Sequence, residues 1–424
     1  MSRGKRLLGG FLTVGGWTLA SRILGFLRDI MIAAFLGAGP VAEAFLIAFS
    51  LPNMFRRFFG EGALNTAFVP MFARKLEAGE DAEAFAQDAF AGVGAVLVGL
   101  TLAGMAAMPW LVLAMAGGFW GDVRYELTVA FGRVTFPYIL FIGLAAMISG
   151  ALNALGRFAA AAAAPVLLNV AFIAAMLGAQ ALGADVGRAL VWAVPVAGIA
   201  QLALVWRAAR TAGLRLVVRM PRLTPELREL AAVFVPAALA GGVVQVNLLV
   251  GRQVASFFDG AVAWLNYADR LYQLPLGVVG IAVGIVLLPE LSRRLRAGEP
   301  DAAAASYSNA AEFAAALTLP AAVALMVLAG PLVSVLFERG AFLAADTQAT
   351  AVALVIYAAG LPAFVAQKVL QPHFFARSDT RTPFRFALVA MAVNAVVAIG
   401  LAPLIGFSAA ALGTTLAAWA MVWL

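Results

Sequence analysis

The chain has 424 residues, of which 63% are hydrophobic and only 12% are charged, and its mean hydropathy is +0.95. Soluble domains carry about 25% charged residues, so this composition excludes an ordinary soluble protein and indicates an all-α polytopic membrane protein. The net charge of +7 does not indicate a nucleic-acid partner, because the basic residues lie in short segments between apolar stretches, where they orient a membrane protein. With no cysteine and one histidine, the chain is not expected to hold a disulfide framework, zinc, haem or another cofactor.

The first 20 residues imitate a secretory signal peptide, with a basic start followed by an apolar stretch. The apolar pattern nevertheless continues to Leu36 without a small-residue cleavage site. We interpret it as a first membrane span that is retained.

Apolar segments of about 20 residues, bounded by charged or Gly/Pro-rich turns, predict about twelve spans. They cover residues 7–36, 41–72, 85–116, 125–155, 160–182, 189–206, 230–258, 261–288, 307–337, 347–375, 384–405 and 408–424. A basic, less apolar segment follows the sixth span. We therefore predict an N-terminal lobe at residues 1–210, a basic cytoplasmic linker at 211–228 and a C-terminal lobe at 229–424. The last span is expected to be incomplete and the C-terminus truncated, because the final residue lies in an apolar run.

The basic residues of the connecting segments are distributed unevenly. If the N-terminus is cytoplasmic, eighteen Lys and Arg residues lie in the inner segments, against Arg124, Arg188 and Arg339 in the outer ones. The positive-inside rule therefore predicts a cytoplasmic N-terminus.

Two short motifs recur in the second half of the chain. ARKLEAGE (73–80) matches SRRLRAGE (292–299), and GRFAAAAAAP (156–165) is similar to ARSDTRTP (376–383) at nearly the same offset. Six spans per half is an even number, so both halves have the same orientation. The sequence thus predicts two six-helix lobes related by a parallel repeat around a central cavity.

Charged residues within the spans are the candidates for that cavity, because a charge in hydrocarbon costs roughly 2.5–3.5 kcal/mol even on lenient insertion scales. Arg22 and Asp29 are seven residues apart and share one helix face, whereas Arg28 on a straight helix points roughly 120° away. A bend at Gly25 would bring both arginines into one cavity. The alternative is that Arg28 or Arg22 pairs with Asp29 or Glu43 and pins the helix bundle.

The segment LPNMFRRFFGEGA (51–63) carries further charges. Arg57 and Glu61 are four residues apart on one helix face, so a supporting ion pair and a ligand role for Arg57 fit equally well. Arg56 has no such neighbour in its own helix and is the better candidate for ligand binding.

In the second half, NYADRLYQLPLG (266–277) places Asp269 and Arg270 in mid-span, and Pro275 predicts a broken helix that lines a cavity. Arg270 is the candidate of this half for the central site, with Asp269 in a supporting ion pair. Arg252 is interpreted as snorkelling towards the outer surface. His373 is interpreted as interfacial packing rather than a proton relay.

An excess of arginine in a cavity favours an anionic ligand, and the arginine fork suits phosphate best. Two repeated halves suggest rocking between inward-open and outward-open states. The residues alone therefore predict a transporter of an anionic, phosphate-bearing substrate.

Five segments of the chain are distinctive as motifs. They are SRILGFLRD (21–29), the acidic residue of VAEAF (41–45), LPNMFRRFFGEGALNTAFVP (51–70), NYADRLYQLPLG (266–277) and FFARSDTRTP (374–383). Together they resemble the MurJ/MviN family of lipid II flippases over essentially the whole chain. That family belongs to the multidrug, oligosaccharidyl-lipid and polysaccharide exporter superfamily. The resemblance implies two six-helix lobes around a central cationic cavity, and the two further C-terminal helices of the family are expected to be absent here.

The resemblance implies a set of substrate-binding side chains: Arg22, Arg28, Asp29, Glu43, Arg56 and Arg270. The first three correspond to the essential first-helix charges of the family, and Glu43 stands where aspartate is frequent. These residues would hold lipid II, the undecaprenyl-diphosphate-linked disaccharide pentapeptide, while it moves to the outer face of the bacterial cytoplasmic membrane. The resemblance implies a transporter and not an enzyme, most simply a monomer, with membrane lipids around it and the cell-wall synthesis machinery as a candidate partner.

Some relatives also bind sodium through an aspartate in the seventh span. This chain has Gly251 followed by Arg252 there, although Asn394 and Thr414 match other parts of that site. The sodium site is therefore expected to be incomplete.

Three alternatives have different requirements. A drug or cation antiporter of the same superfamily would need an acidic cavity, and the predicted one is basic. A flippase for another polyprenyl-diphosphate-linked oligosaccharide, of the O-antigen or exopolysaccharide type, shares the phosphate chemistry and differs only in motifs. A membrane glycosyltransferase would need a carboxylate pair at the membrane face, and the sequence offers none.

Overall fold

A computed structural model describes residues 3–56, 64–217, 219–222, 224–297, 299–377 and 379–424. Within these residues all regular structure is helical, which confirms the predicted all-α class. The helices are α1 (Arg3–Leu36), α2 (Pro40–Arg56), α3 (Leu64–Ala78), α4 (Ala82–Ala106), α5 (Met108–Ala116), α6 (Val123–Thr135), α7 (Tyr138–Ala154), α8 (Ala159–Leu182), α9 (Val186–Thr211), α10 (Pro225–Ala255), α11 (Ala261–Arg296), α12 (Pro300–Val327), α13 (Ala329–Phe337), α14 (Ala344–Ala376), α15 (Arg381–Ile405) and α16 (Ser408–Trp423).

Each predicted span coincides with one helix or with two consecutive shorter helices. Seven helical segments of the described chain are long and apolar enough to cross a membrane by length and composition alone. They are Ala82–Ala106, Val123–Ala154, Ala159–Leu182, Val186–Thr211, Asp301–Val327, Ala344–Phe375 and Arg381–Ile405. The chain is thus a multi-pass membrane protein.

The third and ninth predicted spans break in the same way. Helix α4 ends before Ala107, and α12 ends before Leu328. A proline follows each break, Pro109 and Pro331, inside the first turn of the next helix. Proline lacks an N–H and its ring clashes with the carbonyl four residues earlier, so it is accommodated more easily in a first turn than in a helix interior.

Helix α11 departs from its prediction. Pro275 was expected to break the eighth span, but α11 is helical from Ala261 to Arg296. A proline within a long helix costs one backbone hydrogen bond, and here the helix continues on both sides of it.

The chain divides into two compact units. The first comprises Met1–Leu36, Val41–Leu113 and Gly121–Gln245, and the second comprises Gly37–Pro40, Ala114–Trp120 and Val246–Leu424. The same pairs of helices pack together within each. In the first unit α9 packs against α7 and α8, and α4 packs against α3 and α7. In the second unit α16 packs against α14 and α15, and α12 packs against α11 and α14. This equivalence confirms the internal repeat.

The basic segment after α9 is attached to the first unit. Arg219 forms an ion pair with Asp88 of α4, with Nη2 2.6 Å from Oδ1, and also donates to the carbonyl of Ala84 at 3.0 Å. The amide of Gln87 donates to the carbonyl of Arg215 at 2.7 Å. The predicted linker at 211–228 therefore packs along α4 over part of its length.

The core of the first unit contains an aromatic cluster made by α2, α7 and α8. The rings of Phe45 and Phe49 meet Phe172 with centroids 5.9 and 5.3 Å apart, both edge to face. Tyr138 is fully buried beside them, 6.4 Å from Phe49. Such edge-to-face pairs add about 0.5–1.5 kcal/mol each beyond burial. This aromatic cluster therefore stabilises the packing of α2, α7 and α8.

Candidate functional site

Arg28 of α1 is at the centre of a buried polar cluster in the first unit. Its guanidinium donates from Nε and Nη2 to one oxygen of Asp29, at 3.0 and 2.7 Å. Arg28 is 8% exposed and Asp29 is 5% exposed. A carboxylate is the partner that lets a guanidinium remain charged out of water.

Asn169 of α8 completes this cluster. Its side-chain oxygen accepts a hydrogen bond from Nη1 of Arg28 at 2.9 Å, and its Nδ2 donates to the backbone carbonyl of Ser21 at 2.9 Å. Asn169 is 4% exposed. One amide therefore fixes both the guanidinium of Arg28 and the backbone of α1 two turns earlier.

Two further contacts define this arrangement. The guanidinium carbon of Arg28 lies 5.6 Å from the centroid of the Phe172 ring, within the range of a cation–π contact. Gly25 faces Asn169, and a Cβ there would come within 3.6 Å of the amide. This is an ordinary van der Waals distance, so α1 and α8 lie in direct contact at Gly25.

The cluster leaves part of the arginine fork for another acceptor. Arginine has five N–H donors, and the three contacts to Asp29 and Asn169 use one from each nitrogen. Nη1 and Nη2 each keep a second N–H. N–H donors of a guanidinium suit the oxygens of a phosphate or carboxylate.

Arg22 differs from Arg28 in its surroundings. It lies on the same helix, but its side chain is exposed while Arg28 is buried. The structure thus places one predicted arginine at a surface of the first unit and the other within it. The contact of Arg28 with Asp29 is the pairing that the sequence had left open as an alternative.

Glu43 lies in a second buried ion pair. Its carboxylate accepts from Nη1 of Arg124 at 3.1 Å, and Glu43 and Arg124 are 1% and 5% exposed. Arg124 also donates to Asp122, which precedes α6. Arg124 was expected in an outer loop; it lies in the first turn of α6 and ties that turn to the start of α2. This pair gives Glu43 a structural function, and its contact with substrate stays a prediction.

Replacing Glu43 by alanine is expected to destabilise the protein by about 3–5 kcal/mol, because it removes a carboxylate partner of the buried guanidinium of Arg124. Thermal unfolding of the purified protein in detergent measures this change. The double variant Glu43→Leu with Arg124→Leu removes both charges and is expected to recover most of the lost stability. Equal destabilisation by both variants would contradict this account of the pair.

The second unit holds the other predicted arginine. Arg270 and Asp269 lie on α11 and are partly buried, and the amide of Gln273 donates to the carboxylate of Asp269. Tyr272, about one turn after Asp269, packs on Tyr357 and Phe364 of α14. Its ring centroid lies 5.0 Å from that of Tyr357 and 5.4 Å from that of Phe364. The carboxylate of Asp269 thus lies next to packed aromatic rings.

Some predicted site residues cannot be placed. Arg56 is the last residue of α2, but its side chain lies outside the described part of the chain, as do Arg57 and Glu61. Their predicted ligand and ion-pair roles stay predictions.

Two residues, Asn394 and Thr414, match parts of the sodium site of some relatives. Asn394 of α15 is 2% exposed, and the hydroxyl of Thr414 donates to the carbonyl of Ala410 at 3.0 Å. The position of the carboxylate is taken by Gly251, beside the cation Arg252. The expectation that the sodium site is incomplete therefore stays a prediction.

Two residues of the buried polar contacts, Asn169 and Arg124, were not predicted from the sequence. Asn169 had a signal, because it is one of only two amides in the apolar helix α8, and polar groups in such helices bind across helix interfaces. Arg124 had none, since it follows a turn and looks like an ordinary loop charge.

The helical fold with its two similarly packed units is also found in membrane transporters of solved structure. A solved inward-facing structure of a multidrug resistance MATE family transporter of the MOP superfamily has a TM-score of 0.78, with 14% identity over 95% of this chain and 92% of that chain; this likeness concerns the fold alone. A solved structure of lipid II flippase MurJ in an inward closed conformation has a TM-score of 0.84, with 25% identity over 97% of this chain and 86% of that chain.

Sequence comparison narrows the class to one family. A probable lipid II flippase MurJ of Rhizobium meliloti (strain 1021) is 50% identical over 416 residues, which are 96% of this chain and 78% of the relative. The family model described as lipid II flippase MurJ matches residues 32–424. The chain therefore belongs to the lipid II flippase MurJ family, which confirms the resemblance seen in its motifs.

Proposed function

We propose that this protein flips lipid II from the inner to the outer face of the cytoplasmic membrane by alternating access. The observation that carries this proposal is the family match over residues 32–424. A family whose members are named for lipid II transport, matched over nearly the whole chain, favours this substrate over other polyprenyl-diphosphate-linked oligosaccharides and over drugs or cations.

The chemistry of the arginines supports the same substrate. The diphosphate of lipid II is the anionic part of its headgroup, and we propose that it is bound by Arg22, Arg28, Arg56 and Arg270, with Asp29 and Glu43 positioning groups or sugar contacts. Arg28 supports this role best, because Asp29 and Asn169 hold its fork in one orientation and leave two N–H donors for an oxyanion. Binding and release by such a fork requires no chemical step.

The charges of the chain support a location and an orientation in the membrane. We propose a multi-pass protein of the bacterial inner membrane with a cytoplasmic N-terminus, because the basic residues of the connecting segments favour that orientation by eighteen to three. We further propose that it acts as a monomer, with the cell-wall synthesis machinery as a candidate partner.

The test is a transport measurement in living cells. Cells depleted of their own flippase are supplied with this protein or with an empty vector, and lipid II is quantified on the outer face of the membrane. Restored exposure is the expected result. Normal membrane insertion without restored exposure would contradict the lipid II assignment, and the same cells assayed with a different polyprenyl-diphosphate-linked oligosaccharide would then test the other flippase function.

A further inference from the structure

We propose that the second unit contains a binding site for an anionic phospholipid, separate from the arginines assigned to transport. The site is a cavity of about 420 Å³ where the end of α11, the start of α12 and the end of α14 meet. Ligand pockets in proteins have volumes of about 300–1,000 Å³, so this cavity has room for a phosphate headgroup and the first part of an acyl chain. Its main lining residues are Leu291, Tyr307, Leu370, His373, Phe374 and Arg377.

One side of the cavity is polar. The rings of Tyr307 and His373 approach edge to face with centroids 6.3 Å apart, and Arg377 follows directly after α14 with an exposed side chain. A tyrosine hydroxyl, an imidazole N–H and a guanidinium are all hydrogen-bond donors for a phosphate. The polar side thus matches an anionic group.

Arg377 differs from Arg293 and Arg294, two arginines of α11 at this end of the unit. Arg293 and Arg294 donate to Glu290 at 2.7 and 2.6 Å, so their charges are compensated. Within the residues that the structure describes, the guanidinium of Arg377 forms no ion pair. An exposed, uncompensated cation at the mouth of a cavity is the feature that attracts an anion.

The other side of the cavity is apolar, which selects a lipid over a free anion. Leu291 and Ala303 are 2% and 4% exposed, while Leu370 and Phe374 are half-buried and face the cavity from α14. Such a wall offers no hydrogen bond to inorganic phosphate, but it removes the methylene groups of an acyl chain from water, which favours binding of a lipid. This end of the unit also carries the basic residues that predict the cytoplasmic side, where anionic lipid headgroups attract basic groups.

Lipid binding to the purified protein tests the site, with native mass spectrometry as the readout. The probes are phosphatidylglycerol, phosphatidylcholine with the same acyl chains, and inorganic phosphate. We expect phosphatidylglycerol to bind about tenfold more tightly than phosphatidylcholine, since the quaternary ammonium of phosphatidylcholine neutralises its phosphate and opposes Arg377, and one charge-assisted contact is worth about that factor. The variant Arg377→Gln should remove this preference, and the matched control Arg381→Gln, an exposed arginine outside the cavity, should keep it.

A second pair of variants tests the cavity itself. Ala304 lines the cavity from α12 and its neighbour Ala305 does not; both are exposed, so neither substitution disturbs the core. Ala304→Phe is expected to reduce binding of both lipids about tenfold or more, and Ala305→Phe is expected to leave it unchanged. Equal binding of the two lipids by the unaltered protein, or undiminished binding by Ala304→Phe, would overturn the proposal. Displacement of the lipid by millimolar inorganic phosphate would overturn the choice of a lipid and indicate a free-anion site.

Discussion

Replacing Arg28 by alanine is expected to reduce lipid II exposure on the outer face of flippase-depleted cells by at least about tenfold. Hydrogen bonds to charged groups contribute about 1.5–3 kcal/mol, and 1.4 kcal/mol corresponds to a factor of ten. The N–H donors of Arg28 that the cluster leaves for a diphosphate disappear with the side chain. The measurement is lipid II exposure, normalised to the amount of the variant in the membrane.

Loss of activity in this variant has a second explanation, because Asp29 would become a buried carboxylate without its main partner. The double variant Arg28→Met with Asp29→Leu separates these two explanations for the loss of activity. If the ion pair only pins the helix bundle, apolar residues of similar volume should restore both folding and transport. If Arg28 binds the diphosphate, the double variant should be as abundant as the unaltered protein and still inactive. Restored transport would therefore reject the binding role of Arg28.

Replacing Asn169 by alanine is expected to have the second-largest effect, a loss of about tenfold in transport without loss of the protein from the membrane. The amide orients Arg28 and at the same time holds the carbonyl of Ser21. Without it, the guanidinium keeps its charge but gains rotational freedom, so fewer molecules present the fork correctly to the diphosphate. Lipid II exposure per molecule of protein measures this loss.

The same unit provides a matched control in Gln201 of α9. It is also a buried amide that joins helices, since it accepts from the hydroxyl of Tyr138 at 3.0 Å and donates to the carbonyl of Ala164 at 2.8 Å. It makes no described contact with Arg28. Both alanine variants should lower thermal stability by similar amounts, because each leaves buried polar partners unsatisfied, but only Asn169→Ala should lower transport per molecule. Equal losses of transport in both variants would show that Asn169 acts only through stability.

The positions of the helices could be predicted from the sequence alone. A span must contain about 20 apolar residues and its charged neighbours must lie outside the hydrocarbon, so each boundary leaves a strong local signal. Pro109 and Pro331 also mark the short breaks at Ala107 and Leu328 in the sequence. The helix nevertheless continues through Pro275, where a break was predicted, so a proline by itself does not determine whether a helix breaks. Neighbouring residues determine whether a helix absorbs the lost hydrogen bond.

The partners of the charged residues were decided only by tertiary structure. Spacing along one helix gives the face on which a side chain lies, but not what the neighbouring helix places opposite to it. Arg28 and Asn169 are 141 residues apart, and Glu43 and Arg124 are 81 residues apart. Pairing over such distances depends on how the helices pack and rotate about their axes, which hydropathy does not record. The sequence determined that buried charges exist and favour an anion, and the packing of α1 against α8 and of α2 against α6 decided which groups hold them.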